Sequence, residues 1–126
     1  MEHVEISWDD ESQTIICCTF TQGWTLDEFH EAYSQTGEMI RQSPNRVIGI
    51  IVDDSLNTSP PPNALSAFKR IFKTGTLPMA IIGGHQLTKL LMKVVESSIV
   101  SERQILRAND YDEAREILRQ VVKNGS

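Results

Sequence analysis

Two adjacent aspartates are the first residues whose type and spacing suggest chemistry. Asp53 and Asp54 follow an apolar run, and Ser55 comes next. Clustered carboxylate oxygens are preferred ligands of hard divalent cations. A phosphoacceptor pocket would use such acids too, but it needs a third acid and a lysine that the sequence does not place. We therefore favour the alternative, in which both carboxylates satisfy amides at the end of a strand.

A second candidate group is Gly83-Gly84-His85, directly before a predicted helix. Adjacent glycines would let backbone N–H groups approach an anion, but they lack the spacing of a phosphate-binding fingerprint. A tight turn with positive φ is the favoured interpretation. Histidine is a common general acid or base, and His85 would need a partner for that role, for which Asp53 is the best candidate. A surface or capping histidine is favoured over that role.

Three hydroxyl residues lie in the proline-rich loop Ser55–Asn63. Ser55, Thr58 and Ser59 are candidate phosphate acceptors, because phosphate near a helix N-terminus is electrostatically favourable. The simpler alternative is that these hydroxyls supply hydrogen bonds to the turn and the helix cap. We favour that alternative.

Cys17 and Cys18 are adjacent in a predicted strand, so their side chains point to opposite faces and cannot bridge each other. A mid-strand position offers neither the cation nor the helix N-terminus that makes a thiol reactive. We expect both to be packing residues. Their use fits a reducing compartment, and we expect a cytoplasmic protein.

Hydrophobic periodicity predicts the elements that position these residues. The predicted strands are Val4–Trp8, Thr14–Phe20, Val47–Val52, Leu77–Ile82 and Gln104–Ala108.

Helical spacing predicts four helices. In the first, Thr25 and Glu28 match a capping box, Trp24 and Phe29 match a hydrophobic staple, and Pro44 marks the end. Apolar stripes predict the others at Leu65–Phe72 with Gly75 as a C-cap, at Leu87–Val95, and at Ala114–Val122 with Asp110 as the N-cap.

The resulting order is β-β-α-β-α-β-α-β-α. It predicts an α/β domain with a mostly parallel five-stranded sheet, one antiparallel edge strand and helices on both faces. The length of 126 residues suits a single domain.

Three local features accompany this order: the segment Gly23–Phe29 that opens the first helix, Val52-Asp53-Asp54 at the end of a buried strand, and the segment Asp110–Arg115 that opens the last helix. With them, the whole chain resembles the SpoIIAA-like domains. These include the STAS domains of anti-sigma-factor antagonists and sulphate transporters, and they are related to the lipid-binding CRAL-TRIO domain.

The resemblance implies a regulatory, non-enzymatic module that binds another protein or a second copy of itself. In STAS antagonists, the serine of an Asp-Ser-Ser-Gly motif before the second helix is phosphorylated to switch partner binding. The corresponding segment here, residues 57–62, is Asn-Thr-Ser-Pro-Pro-Pro, so that motif is absent. The CRAL-TRIO relatives imply the alternative, a small-molecule or lipid-binding domain.

Composition and charge bear on whether the protein binds nucleic acid or enters a membrane. Hydrophobic residues make up 40% of the chain, and the formal net charge of −5 disfavours nucleic-acid binding. The short basic cluster Lys69, Arg70 and Lys73 is interpreted as a solvated helix face. No apolar run is long enough to cross a membrane, and Met1-Glu2-His3 does not begin a signal peptide. No cofactor or metal is expected.

Overall fold

Alternating apolar residues build a five-stranded mixed sheet in the computed structural model, which describes residues 2–73, 77–97 and 104–125. The strands are β1 (Val4–Trp8), β2 (Ile15–Phe20), β3 (Gly49–Asp54), β4 (Met79–Gly83) and β5 (Ile105–Ala108). The helices are α1 (Leu26–Gln42), α2 (Ala64–Phe72), α3 (His85–Glu96) and α4 (Tyr111–Gly125). The predicted order of strands and helices is confirmed.

The strands lie side by side in chain order, β1-β2-β3-β4-β5. β1 pairs with β2 in antiparallel orientation, and every later pair is parallel, which confirms the predicted antiparallel edge strand. When successive parallel strands are neighbours, crossovers of the same hand place their helices on one face. α1, α2 and α3 accordingly pack on one face, and α4 packs on the other. We call these the three-helix face and the α4 face.

The two faces have different cores. The three-helix face holds an aromatic cluster in which the ring centroids of Phe20 and Trp24, and those of Phe29 and Phe68, are 4.8 Å apart. The α4 face is lined by smaller side chains, namely Ile15, Cys17, Ile51, Ala80, Ile82, Ala108, Ala114 and Leu118. Cys17 and Cys18 lie on opposite faces, as the strand period predicts.

Local sequence signals place the helix ends. The Thr25 hydroxyl accepts a hydrogen bond from the Glu28 N–H, and the Glu28 carboxylate accepts one from the Thr25 N–H, which confirms the capping box. α1 ends at Gln42, before Pro44. At α4, Asp110 accepts from the Glu113 N–H at 2.8 Å and acts as the predicted cap.

The end of β3 differs from the prediction. The strand begins two residues after Val47 and continues through Asp53 and Asp54, which pair with Ile82 and Gly83 of β4. Ending the predicted strand at Val52 was therefore wrong by two residues. The parallel ladder extends as far as β4 offers backbone partners, whatever the polarity of the side chains. The predicted C-cap Gly75 lies outside the described residues.

Candidate functional site

The two predicted candidate groups meet at one edge of the sheet. Asp53 and Asp54 end β3, Gly83 ends β4, and Gly84 is the N-cap of α3. Ligands in open α/β sheets favour the space beyond the carboxyl ends of such strands. We call this region the β3–β4 end.

Asp54 points into the three-helix face and is completely buried. Its Oδ1 accepts a hydrogen bond from the Thr58 N–H at 3.0 Å, whereas its Oδ2 has no hydrogen-bond partner among the described residues. Burial raises the pKa of Asp54 above its usual value, and hydrogen bonds from Thr58 offset only part of this effect. A carboxyl group in this position cannot reach a substrate in solution.

Thr58 connects the loop to the aromatic cluster. The residue is fully buried, and its hydroxyl accepts a hydrogen bond of 2.8 Å from the indole N–H of Trp24. The loop Ser55–Asn63 is thereby linked to β3 on one side and to the start of α1 on the other. Burial also removes Thr58 from contact with a modifying enzyme.

The other two hydroxyl candidates, Ser55 and Ser59, are exposed. The backbone N–H of Ser55 donates to Asp53 Oδ1 at 3.1 Å, and that of Ser59 donates to Gln22 Oε1 at 3.3 Å. The backbone of each serine is therefore held by the side chain of another residue, while the serine itself remains exposed to solvent.

The glycine pair makes a tight turn against Asp54. Gly83 and Gly84 have φ angles of +67° and +65°, which confirms the favoured interpretation. A Cβ on Gly83 would lie 2.6 Å from the Asp54 carbonyl oxygen, and one on Gly84 would lie 3.1 Å from Asp54 Oδ2. The Gly84 N–H donates to the Asp54 carbonyl at 2.8 Å, and the His85 N–H donates to Asn57 Oδ1 at 3.3 Å. The backbone N–H groups of Gly84 and His85 are thus already hydrogen-bonded within the chain and are not free to bind an anion.

Asp53 points to the α4 face instead. Its Oδ2 accepts a hydrogen bond of 2.7 Å from the Tyr111 hydroxyl. Partial burial acts to raise the pKa of Asp53, but the hydrogen bonds from Tyr111 and Ser55 outweigh it and lower the pKa below its usual value. Burial and the same carboxylate raise the pKa of Tyr111, so its hydroxyl stays protonated as the donor.

The structure does not bring together the hypothetical acid–base pair of Asp53 and His85. Asp53 faces Tyr111 of α4, whereas exposed His85 begins α3, which packs on the opposite face.

A partly buried ion pair between Arg115 and Asp9 on the α4 face was not predicted. Arg115 donates from Nε to Asp9 Oδ2 and from Nη2 to Asp9 Oδ1, both at 2.8 Å, and its guanidinium carbon lies 5.6 Å from the centre of the Tyr111 ring. The Asp9 side chain is only 4% exposed. No short motif links residues 106 positions apart, so sequence spacing could not have found this pair.

Both cysteines lie in environments that suppress reactivity. Burial, reinforced by the nearby Asp9 carboxylate, raises the pKa of Cys17 to about 11. Burial raises the pKa of Cys18 to about 12. The thiolate is the reactive form, so these values support the predicted packing role.

The described residues at the site form no metal cluster, and the apolar cavity between α1 and the sheet is small. In the parts of the chain that the structure describes, no three His, Cys, Asp or Glu side chains are grouped to hold a metal ion. An apolar cavity between α1 and the sheet, lined in part by Ile6, Phe29 and Phe72, measures about 60 Å³. Ligand pockets usually measure about 300 Å³ or more.

Within the described ranges, no helix has the length and apolar character needed to cross a membrane. Comparisons with protein-family models, with curated proteins and with solved structures find no match. The function must therefore be argued from the geometry of the β3–β4 end and the surface beside it.

Proposed function

We propose that this chain is a non-enzymatic, regulatory protein-interaction module. Its contact surface is the loop Ser55–Asn63 together with the exposed side of α2, here called the loop–α2 surface. The observation that carries the proposal is Leu56, which is 59% exposed near the start of this loop, between residues whose backbone N–H groups are hydrogen-bonded. This assignment agrees with the role that the resemblance to SpoIIAA-like domains implies.

The loop is organised before any partner arrives. The Asn57 N–H donates to the Asp54 carbonyl at 2.9 Å, and the Thr58 N–H donates to the Asp54 carboxylate at 3.0 Å. On the other side of Leu56, Ser55 is fixed by Asp53. A loop ordered in advance loses less conformational entropy on binding, so even one exposed leucine contributes usefully to affinity.

The polar groups at the β3–β4 end favour interaction over catalysis. Asp54 is enclosed, Asp53 is engaged by Tyr111, and His85 is not paired with either carboxylate. A general acid or base must lie within hydrogen-bond reach of a bound substrate. These groups instead stabilise the loop and the turn.

The same geometry makes the alternative of a lipid-binding domain the weaker proposal. The apolar cavity between α1 and the sheet, of about 60 Å³, would hold only a fragment of an acyl chain. We therefore place the recognition surface outside the core.

The test compares two exposed leucine-sized side chains. Leu56→Ser removes the apolar side chain from the loop–α2 surface, and Ile40→Ser, at a residue 37% exposed on α1, is the matched control. Each tagged protein is cross-linked in the native cell, and captured proteins are quantified by mass spectrometry. Light scattering after size exclusion measures whether a second copy is the partner.

We expect one partner, or the second copy, to be captured by the wild-type protein and by Ile40→Ser but several-fold less by Leu56→Ser. Equal capture by both variants, with circular dichroism showing that both are folded, would contradict the proposed surface.

A further inference from the structure

Positive charge is concentrated in one part of this acidic chain. Residues 55–97 contain five Lys or Arg and one Asp or Glu, an excess of four positive charges. The remaining residues contain seven Lys or Arg and sixteen Asp or Glu, an excess of nine negative charges. The positive segment includes the loop Ser55–Asn63, α2 and α3. Of its five basic residues, the sequence pattern identified only Lys69, Arg70 and Lys73, as a solvated helix face.

The fold arranges part of this segment into a groove. α2 and α3 lie side by side on the three-helix face, and the groove between them measures about 420 Å³. Leu65 and Leu90, both half-buried, line it together with Pro60 and Pro61 of the loop.

Two lysines provide its charge. Lys89 and Lys93 are four residues apart on α3, so they lie on the same side of the helix, and both line the groove. Both are exposed, and neither forms an ion pair with another described residue. The described lining contains no carboxylate.

From this arrangement we propose that the groove between α2 and α3 binds an acidic amphipathic helix of a partner protein. The inference rests on the proposed interaction role and names the chemistry of the partner. Leucines and prolines would contact one apolar stripe of that helix, and Lys89 and Lys93 would pair with Asp or Glu residues beside the stripe. Grooves of this kind commonly bind helices through apolar residues spaced three or four positions apart.

The lining favours a peptide over nucleic acid. A single-stranded nucleic acid is usually held by aromatic side chains that stack on its bases, and none of the described lining residues is aromatic. The apolar leucines and prolines offer nothing to a phosphate backbone, whereas they suit aliphatic side chains. The acidic remainder of the protein would also repel a long polyanion more strongly than a short acidic helix.

The test begins without a known partner sequence. A library of random sixteen-residue peptides displayed on phage is selected against the wild-type protein and, in parallel, against the double variant Lys89→Glu and Lys93→Glu. We expect the wild-type protein to enrich peptides rich in Asp and Glu with apolar residues three and four positions apart. Enrichment of neutral or basic peptides, or equal enrichment by the double variant, would overturn the proposal.

The most enriched peptide is then labelled, and its dissociation constant is measured by fluorescence anisotropy at low and high salt. We expect charge reversal at Lys89 and Lys93 to weaken binding by about tenfold or more, because attraction becomes repulsion in the groove. The control variant, Arg46→Glu with Arg119→Glu, changes the net charge equally at exposed positions outside the groove. It should change affinity by less than about threefold.

The comparison ligand is a labelled twenty-nucleotide single-stranded DNA. Tighter binding of this DNA than of the peptide, lost in the Lys89 and Lys93 variant, would overturn the acidic helix in favour of nucleic acid. An equal loss in both charge variants would also overturn it, because the effect would then follow net charge. Failure of these tests leaves the Leu56 capture experiment as a separate measurement, so failure of the partner chemistry is distinguishable from failure of the interaction role.

Discussion

Asp53 and Asp54 are neighbours in the chain, yet the fold gives them opposite environments. Asp54 is enclosed by the three-helix face, one of its oxygens has no partner among the described residues, and its pKa is raised. Asp53 is only partly buried on the α4 face, accepts a hydrogen bond from Tyr111, and its pKa is lowered. Side chains alternate between the faces of a strand, so two identical adjacent residues have different chemistry when the two faces are covered differently.

The two aspartates also have different structural roles. On the three-helix face, Asp54 and Thr58 anchor the loop that forms the proposed contact surface. On the α4 face, Asp53 and the Asp9–Arg115 pair attach α4 to the sheet. The comparison predicts that substitutions beside Asp54 change the loop, whereas loss of the hydrogen bond between Tyr111 and Asp53 weakens the attachment of α4.

The largest effect should come from Gly83→Ala, on the Asp54 side. Its new Cβ would lie 2.6 Å from the Asp54 carbonyl oxygen at a positive φ, so we expect a loss of about 2–4 kcal/mol in the free energy of unfolding. Gly37→Ala is the control, since that residue lies within α1 and its new Cβ would meet the Arg41 side chain at an ordinary contact distance of 3.7 Å; it should stabilise by up to about 1 kcal/mol. Urea denaturation measures both, and similar values for the two variants would contradict the close approach.

Thr58→Val should have the next largest effect. The variant keeps the volume but removes the hydroxyl that accepts from Trp24, which leaves a buried indole N–H unpaired at a cost of about 1–3 kcal/mol. Hydrogen exchange at residues 55–59 should also become faster. The control is Thr36→Val, because that buried hydroxyl donates only to the Ala32 carbonyl of its own helix, and we expect a loss below about 1 kcal/mol. Equal losses would mean that the Trp24 contact does not anchor the loop.

Tyr111→Phe tests the Asp53 side and should cost less, about 1 kcal/mol, because Asp53 stays partly solvated after the hydroxyl is lost. The pKa of Asp53, followed by NMR titration, should rise. Tyr33→Phe, at a residue 38% exposed on α1, is the control and should leave both quantities unchanged. An unchanged pKa of Asp53 in Tyr111→Phe would show that this hydrogen bond does not set it.

The smallest expected effect is a change in stability with pH, and its sign should differ between Asp54 and Asp53. A raised folded-state pKa means that ionised Asp54 destabilises the fold, and this penalty disappears as pH falls through the folded pKa toward 3.8. Wild type should therefore gain stability relative to Asp54→Asn on acidification. Asp53 has a lowered pKa, so its stabilising contribution is present above 3.8 and is lost as pH falls through the folded value.

Wild type should accordingly lose stability relative to Asp53→Asn over that lower range. Urea denaturation of the three proteins between neutral pH and the lowest pH at which they remain folded measures both differences. Differences of the same sign would refute the contrast between the two aspartates.

Much of the fold was predictable because its signals are local. The alternation of Val4, Ile6 and Trp8, the capping box of Thr25 and Glu28, and the tight turn at Gly83 and Gly84 depend on residues close in sequence. The candidate site was predicted only in part. The sequence identified Asp53, Asp54 and the two glycines as candidates, but it ended the strand at Val52 and made Asp53 the best candidate partner of His85.

Sequence alone determined the element order, the antiparallel first pair and the opposite orientations of Cys17 and Cys18, because hydrophobic period and turn chemistry act over a few residues. Only the tertiary structure decided that Thr58 is buried against Trp24 and that Asp9 pairs with Arg115. It also placed Lys89 beside Leu65 in one groove. These contacts join residues far apart in the chain, and they arise from how each helix packs over the sheet, which no local pattern encodes.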